Sequence, residues 1–448
     1  MLPRVGIPLA FDLHRLSQTE FKRFPAGSAL GPIVPPPDSA CGVLSGALAG
    51  KFTINSRVGP FFLGLTGKVF GIFRDPNNTH RLIAVASADY GETWALADDT
   101  FPVLTNLIAS HDAELQSGLI IVGVQEAVTG RTSYSAFDAS TGLWSVQNEQ
   151  IVATSPLANS PIPGEAAVSI CQRSSGQIAV AYMSSEVTIT KGTPPRFETR
   201  FRLSPGVWSA PLHTGDWGDV EDSHLNRLIA LDDDEIRVTW TFNFSIVGSP
   251  LKNQIVSAAN TLGPQATYKL YGALGGPVYA VGQYVVYHDG GQKTAIPISN
   301  PDITHNARIA FFTGNSPTVD FVASVANSPD ITGGGGTENP SMGFFWVGGK
   351  LVAMALSLSL ALDTNIWFKT GGPSAFAPDN SDLRFGPMLP PSPGNTQEQN
   401  TAAFEFGTVT YIASFWNEGT HILYNLTRID LLPSAAETVA QFIARCTH

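Results

Sequence analysis

The stretch that most constrains the fold runs from Ser87 to Trp94, with the sequence Ser-Ala-Asp-Tyr-Gly-Glu-Thr-Trp. It follows an apolar, partly β-branched segment, residues 81–86, which is typical of a β-strand. Asp89 can accept backbone N–H bonds of a tight turn, and Gly91 can supply the positive φ that such a turn needs. We expect the ring of Trp94 to lie under the turn and be buried. The stretch is therefore predicted to be the turn of a β-hairpin.

The spacing of the polar residues in this turn resembles a known repeat. Ser87, Asp89, Gly91, Thr93 and Trp94 occupy all five fixed positions of the Asp-box of bacterial neuraminidases, whose pattern is Ser-x-Asp-x-Gly-x-Thr-Trp. The resemblance implies that the turn joins the third and fourth strands of a β-propeller blade. It also implies a structural role for these residues rather than an active site.

A unit of strands and turns recurs along the chain, as a propeller requires. Its leading strands begin near residues 68, 119, 177, 236, 279, 350 and 408. Degraded copies of the turn lie at residues 138–144 and 203–208. The sequence therefore predicts an all-β fold, a six- or seven-bladed β-propeller over residues 59–432. Its strands are continuously apolar because each blade is buried on both faces.

The two ends of the chain do not follow this repeat. Residues 1–58 are predicted to form an N-terminal arm with one closing strand, at Gly50–Ile54. Residues 433–448 are predicted to form a short C-terminal amphipathic helix, with Phe442 and Cys446 on its apolar face. This face would pack on the propeller rim or on a partner. The first residues contain no long apolar core, so an ordinary secretory signal peptide is not expected.

Composition argues against several classes of protein. The formal net charge is −11, which argues against specific nucleic-acid binding because phosphate backbones require a basic surface. No apolar run reaches the roughly 18 residues of a membrane span, so no such span is expected. Cys41, Cys171 and Cys446 are odd in number and far apart, and we expect small buried apolar residues rather than disulfides. No histidine and cysteine cluster has zinc spacing, so no metal site is assigned.

Acidic residues recur a short distance ahead of several leading strands. They are Glu165, Glu221, Asp222, Glu338 and Glu398. The strand after each is predicted to enter its blade at the central axis, which would place the carboxylates in a ring at one mouth of the channel. There they could bind a neutral glycan, hold a divalent cation through oxygen ligands, or act as an acid/base pair. Solvated residues at the starts of strands are the alternative.

The Asp-box resemblance first implies a sialidase. Sialidases clamp the carboxylate of the sugar with three arginines, carry an early Arg-Ile-Pro motif, and use a tyrosine nucleophile paired with a glutamate. Here the early motif is absent, because Val5 and Gly6 separate Arg4 from Ile7 and Pro8. Acids rather than arginines dominate the predicted mouth, and they would repel an anionic sugar.

A non-catalytic propeller fits these residues better, with a sialidase-like glycoside hydrolase as the alternative. The low charge content, the absent export signal and the separate arm and tail favour a component of a phage-like virion, in a tail hub, nozzle or adsorption apparatus. Such a protein would assemble in the host cytoplasm without a cofactor. Its expected partners are further copies of itself, other virion proteins or a cell-surface glycan.

Overall fold

The fold is seen in a computed structural model of the chain. The structure describes residues 32–52, 56–154, 168–184, 196–214, 222–243, 250–269, 279–280, 284–288, 290–299, 307–324, 342–347, 350–356, 364–369, 387–388, 399–418, 420–431 and 437–447. These residues are mostly in β-strands, with short 3₁₀ turns at Gly46–Leu48, Asp232–Asp234 and Ile429–Leu431. One α-helix, α1, runs from Val439 to Cys446. None of the helices in this part of the chain is long and apolar enough to cross a membrane.

The strands follow one another along the chain with short turns between most of them. The strands of the first half are β1 (Ser39–Leu44), β2 (Phe61–Phe62), β3 (Val69–Arg74), β4 (Leu82–Ser87), β5 (Ala95–Asp98), β6 (Ile108–Gln116), β7 (Leu119–Glu126), β8 (Thr132–Asp138), β9 (Leu143–Val152), β10 (Val168–Gln172), β11 (Ile178–Ser184), β12 (Arg196–Ser204), β13 (Val207–Trp208) and β14 (Leu212–Thr214). The strands of the second half are β15 (Asp222–Ala230), β16 (Ile236–Asn243), β17 (Pro250–Val256), β18 (Leu262–Lys269), β19 (Tyr279–Ala280), β20 (Val285–His288), β21 (Gln292–Ser299), β22 (Ala307–Thr313), β23 (Phe321–Ser324), β24 (Met342–Val347), β25 (Lys350–Leu356), β26 (Thr364–Lys369), β27 (Pro387–Met388), β28 (Gln399–Phe406), β29 (Val409–Glu418), β30 (His421–Arg428) and β31 (Glu437–Thr438).

Among the described residues, these strands form seven antiparallel sheets of three to five strands, which we number as blades in chain order. Blade 1 contains β2–β5, blade 2 β6–β9, blade 3 β10–β14, blade 4 β15–β18, blade 5 β19–β23, blade 6 β24–β26, and blade 7 β28–β30 with β1. The first strand of a blade is its innermost, since β10 of blade 3 contacts both β6 of blade 2 and β15 of blade 4. The predicted β-propeller is confirmed, and seven is the higher of the two predicted blade counts.

The ring of blades is closed by the N-terminal part of the chain. Strand β1 pairs antiparallel with β30 over its whole length, from Ser39 opposite Thr427 to Leu44 opposite Ile422. The predicted position of the closing strand, Gly50–Ile54, was therefore wrong. Val43 and Leu44 continue the apolar pattern of blade 7, whereas Lys51 makes only an isolated bridge to Arg74. Residues 39–44, which the sequence analysis placed in the N-terminal arm, therefore belong to blade 7.

The hydrophobic core is divided among the interfaces between neighbouring blades. Phe404 and Phe415 of blade 7 pack with Phe62 and Phe73 of blade 1, and similar apolar clusters fill the next four interfaces. A strand in the middle of a blade is covered on both faces, so its side chains are buried without alternation; β7 and β8 are examples. This explains the continuous apolar runs of the sequence.

The turn from Ser87 to Trp94 has the hydrogen bonds that its sequence predicts. Asp89 Oδ1 accepts from Ser87 Oγ at 2.6 Å and from the Thr93 amide at 2.9 Å, and Oδ2 accepts from Thr93 Oγ1 at 2.5 Å. Ser87 Oγ accepts from the Gly91 amide at 2.8 Å, and Trp94 Nε1 donates to the Gly91 carbonyl at 2.9 Å. The turn joins β4 to β5, the third and fourth strands of blade 1.

This turn lies at the seam between the first and last blades. Trp94 is only partly buried, whereas the sequence predicted a buried ring. Its ring reaches across to Phe415 and Tyr424 of blade 7, with centroids 5.3 and 5.1 Å away. A Cβ atom on Gly42 of β1 would lie 2.6 Å from Trp94 Nε1. The closing strand therefore packs directly against the turn, which ties this local motif to closure of the ring.

The two degraded copies of the turn occupy the same position in their own blades. Residues 138–144 join the third and fourth strands of blade 2, and residues 204–208 join β12 to β13 in blade 3. Asp138 Oδ1 still accepts from the Ser140 amide at 2.8 Å. The acidic run Asp232–Asp234 forms the turn between β15 and β16.

The C-terminal helix packs on the propeller, but it is joined there by a covalent bond that the sequence did not predict. Helix α1 contacts β1, β27 and β31, and Phe442 on its apolar face is fully buried. The helix begins at Val439, later than the predicted segment 433–448, because Glu437 and Thr438 pair with β27 instead. Cys41 and Cys446 form a disulfide with Cα atoms 5.5 Å apart. The expectation of small buried cysteines holds only for Cys171. Sequence separation gave no indication that the two ends of the chain would meet.

Candidate functional site

The predicted acidic ring can be located only through the strands that follow it. Asp222 begins β15, while Glu165, Glu221, Glu338 and Glu398 lie outside the described residues. The strands that come next, namely β10, β15, β24 and β28, each open a blade on its innermost side, as predicted. The ring itself stays a prediction. We call the end of the blades where the innermost strands begin the entry end.

The centre of the propeller holds a buried ion pair that the sequence analysis did not single out. Arg57, just ahead of β2, is fully buried and binds Asp112 of β6 through two parallel bonds of 2.7 Å, from Nε to Oδ1 and from Nη2 to Oδ2. Its Nη1 donates to Glu114 Oε2 at 3.2 Å and to the Tyr284 hydroxyl at 3.4 Å. Nη2 also donates to the Ile170 carbonyl at 2.5 Å. The planar fork of the guanidinium is thereby fully engaged.

This pair is the centre of a network that we call the axial network. Asp112 Oδ2 also accepts from Ser169 Oγ and the Ile170 amide, both at 3.0 Å. Ser169 Oγ in turn accepts from the Leu228 amide, and the Tyr284 hydroxyl donates to the Leu228 carbonyl. Hydrogen bonds thus connect residue 57 with blades 2, 3, 4 and 5. Asn400 of blade 7 binds the neighbouring backbone at Ser56 and Val58.

The electrostatics of the axial network favour a permanently charged pair. Burial alone would raise the pKa of Asp112, but the charge of Arg57 and its hydrogen bond hold that pKa below the ordinary value. Burial raises the pKa of Tyr284 far above its ordinary range, so the phenol stays protonated. Two arginines, Arg57 and Arg227, face two carboxylates, Asp112 and Glu114. The arrangement holds blades together and has no donor of Arg57 to spare for a ligand.

Two other buried arginines also tie neighbouring blades. Arg173 of blade 3 stacks over Phe201 at 4.6 Å and donates to the Ser257 carbonyl of blade 4 at 2.7 Å. Arg237 of blade 4 stacks over Phe312 at 4.2 Å and donates to the Ser316 carbonyl of blade 5 at 2.8 Å. Burial lowers the pKa of Arg237 to about 9. Both guanidiniums serve as contacts between blades.

A partly exposed group of polar side chains crosses blade 3 at the entry end. Backbone pairing places Val168, Tyr182, Glu198 and His213 in one row across the four strands β10, β11, β12 and β14. The Tyr182 hydroxyl donates to Glu198 Oε2 at 2.5 Å and accepts from Arg200 Nε at 2.8 Å. His213 Nδ1 lies 3.8 Å from Glu198 Oε1. We call Tyr182, Glu198, Arg200 and His213 the blade 3 cluster.

The blade 3 cluster is open to solvent where the axial network is closed. The side chains of His213, Arg200 and Glu198 are 51%, 21% and 14% exposed. Burial raises the pKa of Tyr182, and its hydrogen bond to Glu198 raises it further, so the hydroxyl remains a donor. A carboxylate, a guanidinium and an imidazole therefore lie together at the partly exposed surface of blade 3.

The blade 3 cluster had a signal in the sequence that the strand prediction did not use. In β12, charged residues at 198, 200 and 202 alternate with Phe197, Thr199 and Phe201, which are buried. Because successive side chains of a strand point to opposite faces, charges at every second residue indicate a strand with one apolar face and one polar face. The third charge, Arg202, binds Glu149 of blade 2 through bonds of 2.9 and 2.6 Å and stacks over Tyr134 at 4.8 Å. It therefore joins blades 2 and 3.

Neither a protein-family model nor a curated protein matches the chain. Among solved structures, the chain is similar to an ulvan lyase of polysaccharide lyase family PL25, at 8% identity and a TM-score of 0.49, over 87% of this chain and 95% of that one. It is also similar to a GH93 α-L-arabinofuranosidase of Fusarium graminearum, at 12% identity and a TM-score of 0.43, over 70% of this chain and 93% of that one. A third similar structure is the Aleuria aurantia lectin, at 11% identity and a TM-score of 0.39, over 80% of this chain and 98% of the lectin. Likeness at this level does not carry a function across.

No group of three or more histidine, cysteine or acidic side chains is placed to hold a metal ion among the residues that the structure describes.

Proposed function

We propose that the chain is a non-catalytic β-propeller that binds a neutral glycan at the entry end of its blades. The blade 3 cluster is the observation that carries this proposal. Sugar hydroxyls both donate and accept hydrogen bonds, and Glu198, Arg200 and His213 offer an acceptor, a donor and a group that can do either. Because the Tyr182 hydroxyl is hydrogen-bonded to Glu198 and Arg200, these two side chains would lose little freedom on binding.

The charge around the cluster favours a neutral sugar over an acidic one. The chain carries a formal net charge of −11. Glu165 precedes the innermost strand of the same blade in the sequence, and Glu221 follows β14. If these acids surround the mouth as proposed, a sugar carboxylate entering there would meet like charge, which disfavours its binding.

Two features support the proposal that the site is not catalytic. Retaining and inverting glycosidases other than sialidases, which use a tyrosine nucleophile paired with a glutamate, work with two carboxyl groups about 5–9.5 Å apart. In the described part of the cluster Glu198 is the one carboxylate, and Glu149 nearby in blade 2 is bound by Arg202. Arg57, the buried arginine at the axis, is bound to Asp112 and cannot clamp the carboxylate of a sialic acid as it stands.

The first test is a screen of the full-length protein on an array of neutral oligosaccharides, followed by calorimetry with the best binder. Glu198→Gln and His213→Ala are each expected to weaken binding at least tenfold, because each removes a hydrogen-bonding partner from a partly desolvated contact. The ring prediction adds that Glu165→Gln with Glu338→Gln weakens binding while leaving the melting midpoint unchanged. Asp430→Asn removes an exposed carboxylate elsewhere and serves as the control.

An array with no neutral binder would contradict the proposal, as would full affinity in Glu198→Gln. The enzyme alternative is tested in parallel by release of a fluorogenic group from a sialoside between pH 4 and 8. No release is expected. Turnover that is lost on Arg200→Lys would assign the cluster to a sialidase-like hydrolase instead.

We also propose that the propeller is a component of a phage-like particle and assembles with copies of itself. Closed blades leave little free strand edge, so assembly requires appended segments. Because β1 and α1 pack on their own propeller, we assign these contacts to the residues ahead of β1. Light scattering after size exclusion should show an oligomer for the full chain and a monomer for a chain that starts at residue 32. A full chain that stays monomeric at high concentration would contradict this assignment.

The resemblance of the Ser87–Trp94 turn to an Asp-box is likewise a proposal. It is supported by the hydrogen bonds of Asp89 and Ser87 and by the position of the turn between third and fourth strands. The resemblance predicts that Asp89, Gly91 and Trp94 stabilise the fold.

A further inference from the structure

The disulfide between Cys41 and Cys446 connects the two parts of the chain that close the ring. Cys41 lies in the middle of β1, opposite Asn425 of β30, and Cys446 is the last residue of α1. The two cysteines are 405 residues apart in sequence. In the strand order β1-β30-β29-β28, β1 is the outermost strand of blade 7. The bond therefore lies at the outside of the closing blade, and the covalent loop that it completes includes all seven blades.

Closure without the disulfide depends on contacts that are local and reversible. Strand β1 is held by its pairing with β30 and by the ion pair of Asp38 with Arg428 at 2.7 Å. Helix α1 contacts β1, β27 and β31, and its Phe442 ring is buried. A helix of eight residues is too short to persist alone in water, so it is ordered only while it is docked. A covalent link keeps the two ends at high effective concentration and restricts the unfolded chain.

Cys41 and Cys446 differ from the third cysteine, Cys171, in how exposed each residue is to solvent. Cys41 and Cys446 are both partly exposed, whereas Cys171 on β10 is fully buried in the interface between blades 3 and 4. A small thiol or disulfide can therefore reach the Cys41–Cys446 pair without unfolding of the blades, and it cannot reach Cys171 in the same way. This separates a cysteine pair that responds to redox conditions from one thiol that does not.

We propose that Cys41 and Cys446 form a redox-controlled lock on the closure of the propeller. In a reducing cytosol both would be thiols, and the ring would be closed by β1 and α1 without a covalent bond. On transfer to an oxidising environment, a small-molecule disulfide such as oxidised glutathione accepts the two electrons. One protein thiolate attacks it to form a mixed disulfide, and the second thiolate displaces the remaining glutathione. Two protein thiols and one oxidised glutathione thus give one protein disulfide and two reduced glutathiones.

The lock does not rest on the proposed glycan binding, and it can be tested without a ligand. The full-length protein is equilibrated with oxidised or with reduced glutathione, and thiols are counted after denaturation and alkylation. The oxidised protein should show one thiol, Cys171, and the reduced protein three. The melting midpoint should be about 5–10 °C lower in the reduced protein, because the longest loop in the chain is then unconstrained. Hydrogen exchange in residues 437–447 should become at least tenfold faster.

Two variants keep the test specific. Cys446→Ser should melt like the reduced protein whichever glutathione is present, while Cys171→Ser should keep the full difference between the two conditions. Alkylation at the moment of cell lysis should trap Cys41 and Cys446 as thiols in a cytosolic preparation. Three thiols in the protein treated with oxidised glutathione would overturn the proposal. So would equal melting midpoints with equal exchange of α1 in both conditions, or a disulfide already present in the cytosol.

Discussion

Replacement of Arg57 with methionine is expected to lower the free energy of unfolding by about 3–5 kcal/mol, the range for breaking a buried ion pair by removing one partner. Methionine keeps much of the side-chain volume but removes the guanidinium that is hydrogen-bonded to the buried carboxylates of Asp112 and Glu114. The Ile170 carbonyl and the Tyr284 hydroxyl lose a donor at the same time. The measurement is urea denaturation followed by tryptophan fluorescence. Several blades share this network, so we expect a loss of overall stability rather than of one blade.

Arg428 provides a matched control for this prediction. It also pairs with two carboxylates, Asp38 and Asp430, at 2.7 Å each, but on the surface, where water and salt screen the charges. Arg428→Met should therefore change stability far less than Arg57→Met. A double variant, Arg57→Met with Asp112→Leu, should lose less than the sum of the two single changes, because no unpaired charge is left at Asp112. Similar losses in Arg57→Met and Arg428→Met would show that the axial network does not hold the blades together.

Replacement of Gly91 with alanine is expected to cost about 2–6 kcal/mol, as the sum of backbone strain and overpacking. The residue has φ +99°, a conformation that residues with a side chain rarely adopt. A Cβ atom would lie 1.9 Å from Cε1 of Tyr424, whose ring is fully buried in blade 7. The seam between blades 1 and 7 would have to open or the turn would have to refold. Thermal and urea unfolding of the full chain measure the loss.

Gly142→Ala is the control for the effect of packing. Gly142 lies in the equivalent turn of blade 2 with φ +74°, and nothing lies within 4 Å of the Cβ position. Gly142→Ala should lower the free energy of unfolding only through backbone strain, by about 1–2 kcal/mol for a residue forced into the left-handed conformation. Equal losses in the two variants would show that Tyr424 does not restrict Gly91.

Two milder changes in the same turn complete the series. Asp89→Ala should cost about 1–2 kcal/mol, since the Thr93 amide and the Ser87 hydroxyl lose their acceptor. Burial alone would raise the pKa of Asp89, but the hydrogen bonds from Ser87 and Thr93 lower it, so this stabilisation is present above about pH 4 and is lost on further acidification.

Trp94→Ala should cost about 2–3 kcal/mol, below the range for a fully buried tryptophan.

The position of the turn explains why a local motif has such effects. Propeller closure requires the first and last blades to recognise each other, although their residues are far apart in sequence. Gly91 and Trp94 contact Tyr424, and Gly42 of the closing strand contacts Trp94. A change in this one turn therefore acts directly on the contact between the first and last blades.

The sequence by itself determined the features that depend on neighbouring residues. The turn at residues 87–94, the repeating strands, the all-β class and a short helix near Phe442 all follow from backbone preferences and periodicity. These are properties of short segments, and the structure shows them at or near the predicted positions, with the helix beginning at Val439. The starts of the innermost strands after Glu165, Glu221, Glu338 and Glu398 belong to the same group.

Only the tertiary structure decided which distant residues meet. Cys41 and Cys446 are brought together because β1 returns to β30 at the closure of the ring. Arg57 finds Asp112, Ile170 and Tyr284 because four blades converge at the axis. Tyr182, Glu198 and His213 form one row because of the register of three strand pairings. Periodicity shows which face of a strand is polar, but the register between strands and the circular order of blades set which polar groups become neighbours, and these depend on packing across the whole ring.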